Sequence, residues 1–165
     1  MNGEINGKVE EYYSLGKIKF EGEYLKNKKW NGKGYDIFGH KIYELKNGRG
    51  FVTEYNEFYG LIYKSEYLNG EKNGKARTYW CDKLLFEGEY LNGKFDGKGK
   101  EYDKSGILRF EGEYLYNYKL KGKLYIKGAL EYEGEFLYDK KWNGKGYDEN
   151  GNIIYELING NGKVR

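Results

Sequence analysis

Side chains along much of this chain alternate in class, residue by residue. In Phe86-Glu87-Gly88-Glu89-Tyr90-Leu91 an extended backbone puts Phe86, Gly88 and Tyr90 on one face and Glu87 and Glu89 on the other. A second pattern follows: in Gly97-Lys98-Gly99-Lys100 the glycines share one face and the lysines the other. The two segments read as the strands of a β-hairpin. A four-residue turn at Asn92–Phe95 places Glu89 opposite Lys98 and Glu87 opposite Lys100. It also places Gly88 beside Gly99 and Tyr90 beside Gly97. One face then carries aromatic rings over glycine backbone. The other carries a Glu–Lys ladder, each pair contributing roughly 0.2–1 kcal/mol. No segment sustains apolar residues at a 3.6-residue period, and glycine recurs too often for stable helix, so no helix is expected.

The pattern repeats. Phe20-Glu-Gly-Glu-Tyr24 returns as Phe86 to Tyr90, as Phe110 to Tyr114, and with its aromatics exchanged as Tyr132 to Phe136. Tyr63-Lys-Ser-Glu-Tyr67 is a degenerate copy, and Tyr43-Glu-Leu and Tyr155-Glu-Leu are two more starts. The repeats begin near 20, 43, 63, 86, 110, 132 and 155, after a leading half at 1–19. Between the starts lies Gly-Lys followed by tyrosine, at Tyr12, Tyr35, Tyr79, Tyr102, Tyr125 and Tyr147. Seven or eight residues separate each of these tyrosines from the next start, the mark of a short turn of fixed length. Asp103-Lys-Ser-Gly106 and Asp148-Glu-Asn-Gly151 supply turn chemistry there. The segment Lys28-Lys-Trp-Asn-Gly-Lys-Gly-Tyr-Asp36 recurs unchanged at 140–148, as expected of a duplicated block.

These residues resemble the MORN repeat, roughly aromatic-x-Gly-Glu-aromatic-x-x-Gly-x-x-x-Gly-x-Gly with a later turn glycine, here Gly106. The resemblance covers almost the whole chain. Departures are Ser65 in place of a glycine, the lost Gly-Glu-aromatic core at Tyr43 and Tyr155, and Asn117 where an Asn-Gly turn stands elsewhere. The resemblance implies an all-β fold: an elongated, single-layer, twisted antiparallel β-meander of about seven hairpin repeats plus a half, forming one array over 1–165. It also implies scaffolding, with partner segments held in an aromatic groove and dimer formation, or contact with anionic, phosphoinositide-containing membranes.

Composition agrees with the strand reading. Proline is absent, aromatics make up 19% with Tyr 20, and Gly 26 is over twice the average share, which argues against disorder. Lys+Arg 29 against Asp+Glu 26 is too balanced to indicate nucleic-acid binding. Cys81 is the only cysteine, so no internal disulfide or cysteine-based zinc site is built. The first residues are polar, no apolar run approaches a membrane span, and neither end carries a lipidation motif. The expectation is a reduced, soluble, cytoplasmic protein.

Candidate chemistry is sparse. Gly88 to Lys94 begins like a phosphate loop, but Phe95 stands where Ser or Thr must bind magnesium. Asp148 to Asn152 begins like a calcium loop, but Ile153 and Asn159 occupy the glycine and glutamate positions. His40 is the only histidine and lies at a turn. The paired glutamates, such as Glu87/Glu89, form a periodic exposed ladder without the contrasting environments an acid/base pair needs. We therefore expect no catalytic residue, no metal and no cofactor. The leading expectation is a non-catalytic scaffold for another protein or peptide segment. Its aromatic row, Phe20, Tyr24, Phe86, Tyr90, Phe110, Tyr114, Tyr132 and Phe136, packs first and serves as groove second. The alternative is a peripheral anionic-lipid module acting through loop lysines, Lys28, Lys29, Lys94, Lys98, Lys140 and Lys141. Self-association into a homodimer is left open.

Overall fold

The computed structural model describes residues 3–164, and the side chains of residues 3–162. Met1 and Asn2, in the leading half-repeat, and Arg165 lie outside the described residues. The described residues form fifteen strands: β1 Gly7–Tyr12, β2 Ile18–Leu25, β3 Lys28–Tyr35, β4 Lys41–Leu45, β5 Gly50–Asn56, β6 Leu61–Leu68, β7 Glu71–Trp80, β8 Lys83–Leu91, β9 Lys94–Tyr102, β10 Leu108–Leu115, β11 Tyr118–Ile126, β12 Ala129–Leu137, β13 Lys140–Tyr147, β14 Ile153–Ile158 and β15 Asn161–Val164. No helix occurs among them. Strands β1–β4 form one sheet in chain order and β5–β15 another, also in chain order, so the fold is an open antiparallel meander. By packing, the chain divides into two compact units. The first runs to Cys81 and includes Tyr90–Gly93; the second holds Asp82–Glu89 and everything from Lys94 onward.

The hairpins close more tightly than the sequence suggested. Asn92 and Gly93 alone make the turn between β8 and β9, both with positive φ, and Lys94 already belongs to β9. This is the two-residue turn whose twist matches that of the flanking strands, and Asn-Gly suits its left-handed backbone best. The expected four-residue turn at Asn92–Phe95 is therefore corrected. On its other edge β9 pairs with β10, where Gly97, Lys98, Gly99 and Lys100 face Tyr114, Glu113, Gly112 and Glu111. Within the β10–β11 hairpin, Gly112 faces Gly122 while Glu111 and Glu113 face Lys123 and Lys121, and a bulge follows at Glu113/Tyr114.

Those facing glycines bring backbones together. A Cβ on Gly112 would stand 2.2 Å from the Lys121 carbonyl oxygen and 2.7 Å from the Gly122 Cα. Rings then lie on this floor. Phe110 reaches over Gly112 and Gly122, Tyr132 over Gly134 and Gly144, and Phe20 over Gly32. In the second unit the rings touch in series: Phe95 with Phe86 (4.4 Å), Phe86 with Tyr114 (6.0 Å), Tyr114 with Phe110 (5.4 Å), Phe110 with Phe136 (5.7 Å) and Phe136 with Tyr132 (5.3 Å).

Hairpin turns are also fastened to the preceding hairpin. The Gly48, Gly93, Asn117 and Gly160 N–H groups donate to the carbonyls of Trp30, Lys72, Phe95 and Trp142 (2.7–2.9 Å). Asn31 and Asn143 accept from the Asn47 and Asn159 N–H groups (2.8 and 2.7 Å). The duplicated Trp-Asn-Gly segment thus carries a side-chain clamp for the next turn.

The first unit departs from a simple single layer. The β4–β5 hairpin pairs only at Lys46 and Arg49, next to its turn, and then opens. Leu45 stands where Gly22 stands in the preceding repeat, and Val52, opposite Ser65 as Gly32 is opposite Leu45, stands where Gly32 stands in β3. Both are fully buried, with Phe20 and Tyr43 beside them and Tyr24, Ile42 and Tyr67 packed around. The faces of the two sheets meet across this cluster. Leu157 takes the leucine's place in β14, yet β15 stays paired with Leu157 facing Gly162. The leucine alone does not open a hairpin. In the first copy β5 is also held on its other edge by β6, from Gly50 opposite Tyr67 to Asn56 opposite Leu61.

Candidate interaction surfaces

Of the aromatic row, Phe20, Phe86, Phe110, Tyr114, Tyr132 and Phe136 are buried, and Tyr24 and Tyr90 are half-buried. What covers them was not foreseen. A lysine two residues past the hairpin turn folds back over the rings in four repeats. Lys29 Nζ lies 4.9 Å from the Phe20 ring centre, Lys72 4.9 Å from Tyr63, Lys119 4.9 Å from Phe110, and Lys141 5.2 Å from Tyr132. Such cation–ring contacts strengthen as water is excluded. In the repeat starting at Phe86 the same place holds Phe95, which packs edge-on to Phe86 instead.

Three of the lysines are completed by a carboxylate and a tyrosine hydroxyl. Lys119 Nζ is 2.9 Å from Glu101, which also accepts from the Tyr114 hydroxyl at 2.6 Å. Lys141 pairs with Glu131, and Tyr155 bridges the two, accepting from Lys141 at 2.9 Å and donating to Glu131 at 3.1 Å. Lys29 joins both sheets of the first unit, 3.2 Å from Glu11 and 3.0 Å from Glu54, and the Tyr24 hydroxyl donates to Glu11. Burial opposes the charge on Lys29, but Glu54, Tyr43 and Glu11 more than offset it and raise its pKa. Burial likewise works against the Glu54 carboxylate, and Lys29 holds its pKa below the usual range. Lys72 is different. Burial depresses its pKa, and the field of Glu54 offsets that only in part. Burial, and then the bond to Glu101, raise the Tyr114 hydroxyl.

The six loop lysines therefore divide. Lys29 and Lys141 lie on the aromatic face, paired and largely covered. Lys28 pairs with Glu71 at 2.8 Å, Lys94 lies 5.4 Å from the Tyr116 ring centre, and Lys98 and Lys140 are exposed. The order Lys-Lys within one strand was the available signal for the split. Neighbouring residues of a strand point to opposite faces, so Lys28 and Lys29 cannot both face the loop edge.

The opposite face carries the charges. Glu111 pairs with Lys100 (3.5 Å), Glu113 with Lys121 (3.4 Å) and Glu133 with Lys123 (3.7 Å). The strand registers continue this alternation to Lys145 and Glu156. Tyrosine hydroxyls extend it, Tyr102 to Glu87 and Tyr125 to Glu111. These pairs are exposed, so each adds little stability. What they define is a regular charge pattern.

His40 is exposed, with Nδ1 3.0 Å from Asp36 in its own turn. Cys81 is an exposed turn residue with φ of 47°. No cluster of three or more potential metal-ligating side chains occurs among the described residues, and no helix among them is long and apolar enough to cross a membrane. No family model matches the chain, and no curated protein matches it.

Proposed function

We propose that the chain is a non-catalytic, MORN-type repeat scaffold that binds another protein or an extended peptide segment. The observation that carries this reading is the Glu–Lys ladder. The same charged pair recurs from β9 through β14 on a face left to solvent, above a floor of facing glycines and packed rings. A partner with complementary alternating charge meets several equivalent contacts along one line. Each contact is weak, and their sum sets affinity and register. Membrane contact through the loop lysines has less support, because Lys29 and Lys141 are committed to the rings and to carboxylates. The test is affinity capture in the cell of origin with Glu111→Lys/Glu133→Lys as control. One partner should be recovered reproducibly, should bind the purified chain saturably, and should be lost with the reversed ladder. Undiminished binding by the reversed ladder refutes the charged face as the contact.

A further inference from the structure

Most hairpin turns of this chain follow one plan, and two of them depart from it with tyrosine. Asn47-Gly48, Asn69-Gly70, Asn92-Gly93 and Asn159-Gly160 have positive φ at both residues, the backbone that Asn-Gly suits best. At the β10–β11 and β12–β13 turns the same backbone is carried by Tyr116-Asn117 (φ 50° and 77°) and Tyr138-Asp139 (49° and 62°). A bulky residue is disfavoured in this left-handed region. Neither ring is buried in return: Tyr116 is 59% exposed and Tyr138 69%. Tyr118 joins them, its ring edge-on to that of Tyr138 at 5.4 Å. Elsewhere in the second unit tyrosine hydroxyls donate to carboxylates, Tyr102 to Glu87, Tyr114 to Glu101 and Tyr125 to Glu111. Those of Tyr116, Tyr118 and Tyr138 make no hydrogen bond among the described residues.

The spacing of the two turns is set by the sheet. They lie two strands apart, about 9.6 Å. Each is fastened to the preceding hairpin, Asn117 accepting from the Phe95 N–H at 2.8 Å and Asp139 from the Lys119 N–H at 2.9 Å, which keeps the edge at strand spacing. A polyproline II helix repeats every three residues, about 9.3 Å. Same-face side chains of a β-segment come every ~6.7 Å and fall between the rings. Two turns of α-helix span about 10.8 Å, but the carbonyls there are already bonded. A polyproline II segment leaves its carbonyls free for tyrosine hydroxyls.

We propose that this turn edge binds an acidic, proline-rich segment in the polyproline II conformation, with prolines at every third residue resting on Tyr116 and on the Tyr118–Tyr138 pair. Stacked rings of this kind form the grooves that take such segments, whose stiffness lowers the ordering cost of binding. The charges around the rings call for acidic residues between the prolines. Lys94 and Lys140 are exposed here, Lys94 with Nζ 5.4 Å from the Tyr116 ring centre. The carboxylate of Asp139 is turned onto the Lys119 N–H. The site lies on the turns, apart from the Glu–Lys ladder on the strand face, and either surface can fail without the other.

The experiment is fluorescence anisotropy of the full chain with a labelled peptide of about five Glu-Pro-Pro repeats, set against Glu-Gly-Gly repeats of the same length and charge. The unaltered chain should bind the proline peptide saturably and the glycine peptide about tenfold more weakly or worse. Tyr116→Asn/Tyr138→Asn should weaken binding by about tenfold or more. The same variant should melt at a higher temperature, because asparagine tolerates the left-handed turn. Glu111→Lys/Glu133→Lys should still prefer the proline peptide. Absence of binding by the unaltered chain, equal binding of the two peptides, or equal binding by the asparagine variant overturns the proposal. So does a lowered melting temperature of that variant, which would give the rings a structural role. Self-association in sedimentation velocity that the variant abolishes would assign the edge to a second copy and overturn it as well.

Discussion

Two glycine substitutions separate a backbone clash from a ring clash. Neither Gly112 nor Gly146 has a positive φ, so alanine strains neither backbone by itself. At Gly112 the added carbon meets the Lys121 carbonyl oxygen at 2.2 Å, and the strands must part by about 1 Å to restore an ordinary contact. That displacement takes neighbouring N–H···O bonds out of range, at about 1 kcal/mol each, on top of about 1–3 kcal/mol for overpacking. Gly112→Ala should cost about 3–5 kcal/mol. At Gly146 the added carbon falls inside the Tyr155 ring, 2.0 Å from Cζ. The ring can swing away, surrendering its hydroxyl contacts to Lys141 and Glu131. Gly146→Ala should cost about 2–3 kcal/mol. Truncating the ring distinguishes them. In a Tyr155→Leu background Gly146→Ala should cost under about 1 kcal/mol, a coupling of about 1.5–2 kcal/mol. In a Phe110→Leu background Gly112→Ala should cost nearly its full amount, because the carbonyl remains. Equilibrium urea unfolding followed by circular dichroism at 25 °C measures both cycles. Equal coupling in the two cycles, or a Gly112→Ala midpoint matching the unaltered chain, would refute the glycine-floor reasoning.

Lys119→Met removes the cation over Phe110 and leaves Glu101 with only a hydroxyl; a loss of about 1–2 kcal/mol is expected in urea unfolding. The Lys29–Glu54 pair sets a pH dependence. Glu54 has a lowered pKa when folded, so the pair's contribution is complete above about pH 4.5 and is lost as pH falls through the lowered value. Glu54→Gln should therefore flatten the acid side of the Tm-against-pH curve, and an acid limb as steep as that of the unaltered chain contradicts the sign. Lys127 opens a two-residue turn with φ of 51°, so Lys127→Asn should raise stability by about 0.5–1 kcal/mol, read as a higher Tm.

The hairpin meander could be read from alternation because its cause is local. Phe110, Gly112 and Tyr114 share a face in any extended strand, and the repeat states this several times over. The turn length was misread because Asn92-Gly93 can sit inside a longer loop or make the whole turn. The choice depends on how closely the strands approach, which facing glycines decide. The break at β4–β5 was less visible. Leu45 and Val52 look like ordinary strand residues, and their effect appears only where glycine is what lets the neighbouring strand come close. The exposed turn tyrosines were in plain sight as Tyr116 and Tyr138. They carried no periodic signal, and exposure at a turn is a property of the fold rather than of the residue type.

The lysine lid follows from a conflict that a sheet with one apolar face must resolve. Rings as large as Phe110 and Tyr132 cannot be left in water at no cost, and in the second unit no second sheet covers them. The glycine floor lets each ring lie down against backbone, which hides one side. The other side is covered by a side chain already at the start of the next strand. Lysine suits this place because its four-carbon stem covers apolar surface while its ammonium reaches a carboxylate at the rim, Glu101 for Lys119 and Glu131 for Lys141. Phenylalanine at 95 solves the same problem without a rim charge, by packing edge-to-face with Phe86 and tilted against Tyr114. The aromatic face is thereby closed by residues of its own repeats, and a partner that is to use it must displace a lysine from both a ring and a carboxylate. The opposite face imposes no such cost, because its Glu–Lys pairs are solvated already. That difference, more than the charges themselves, is why we propose the ladder side of the strands for partner contact.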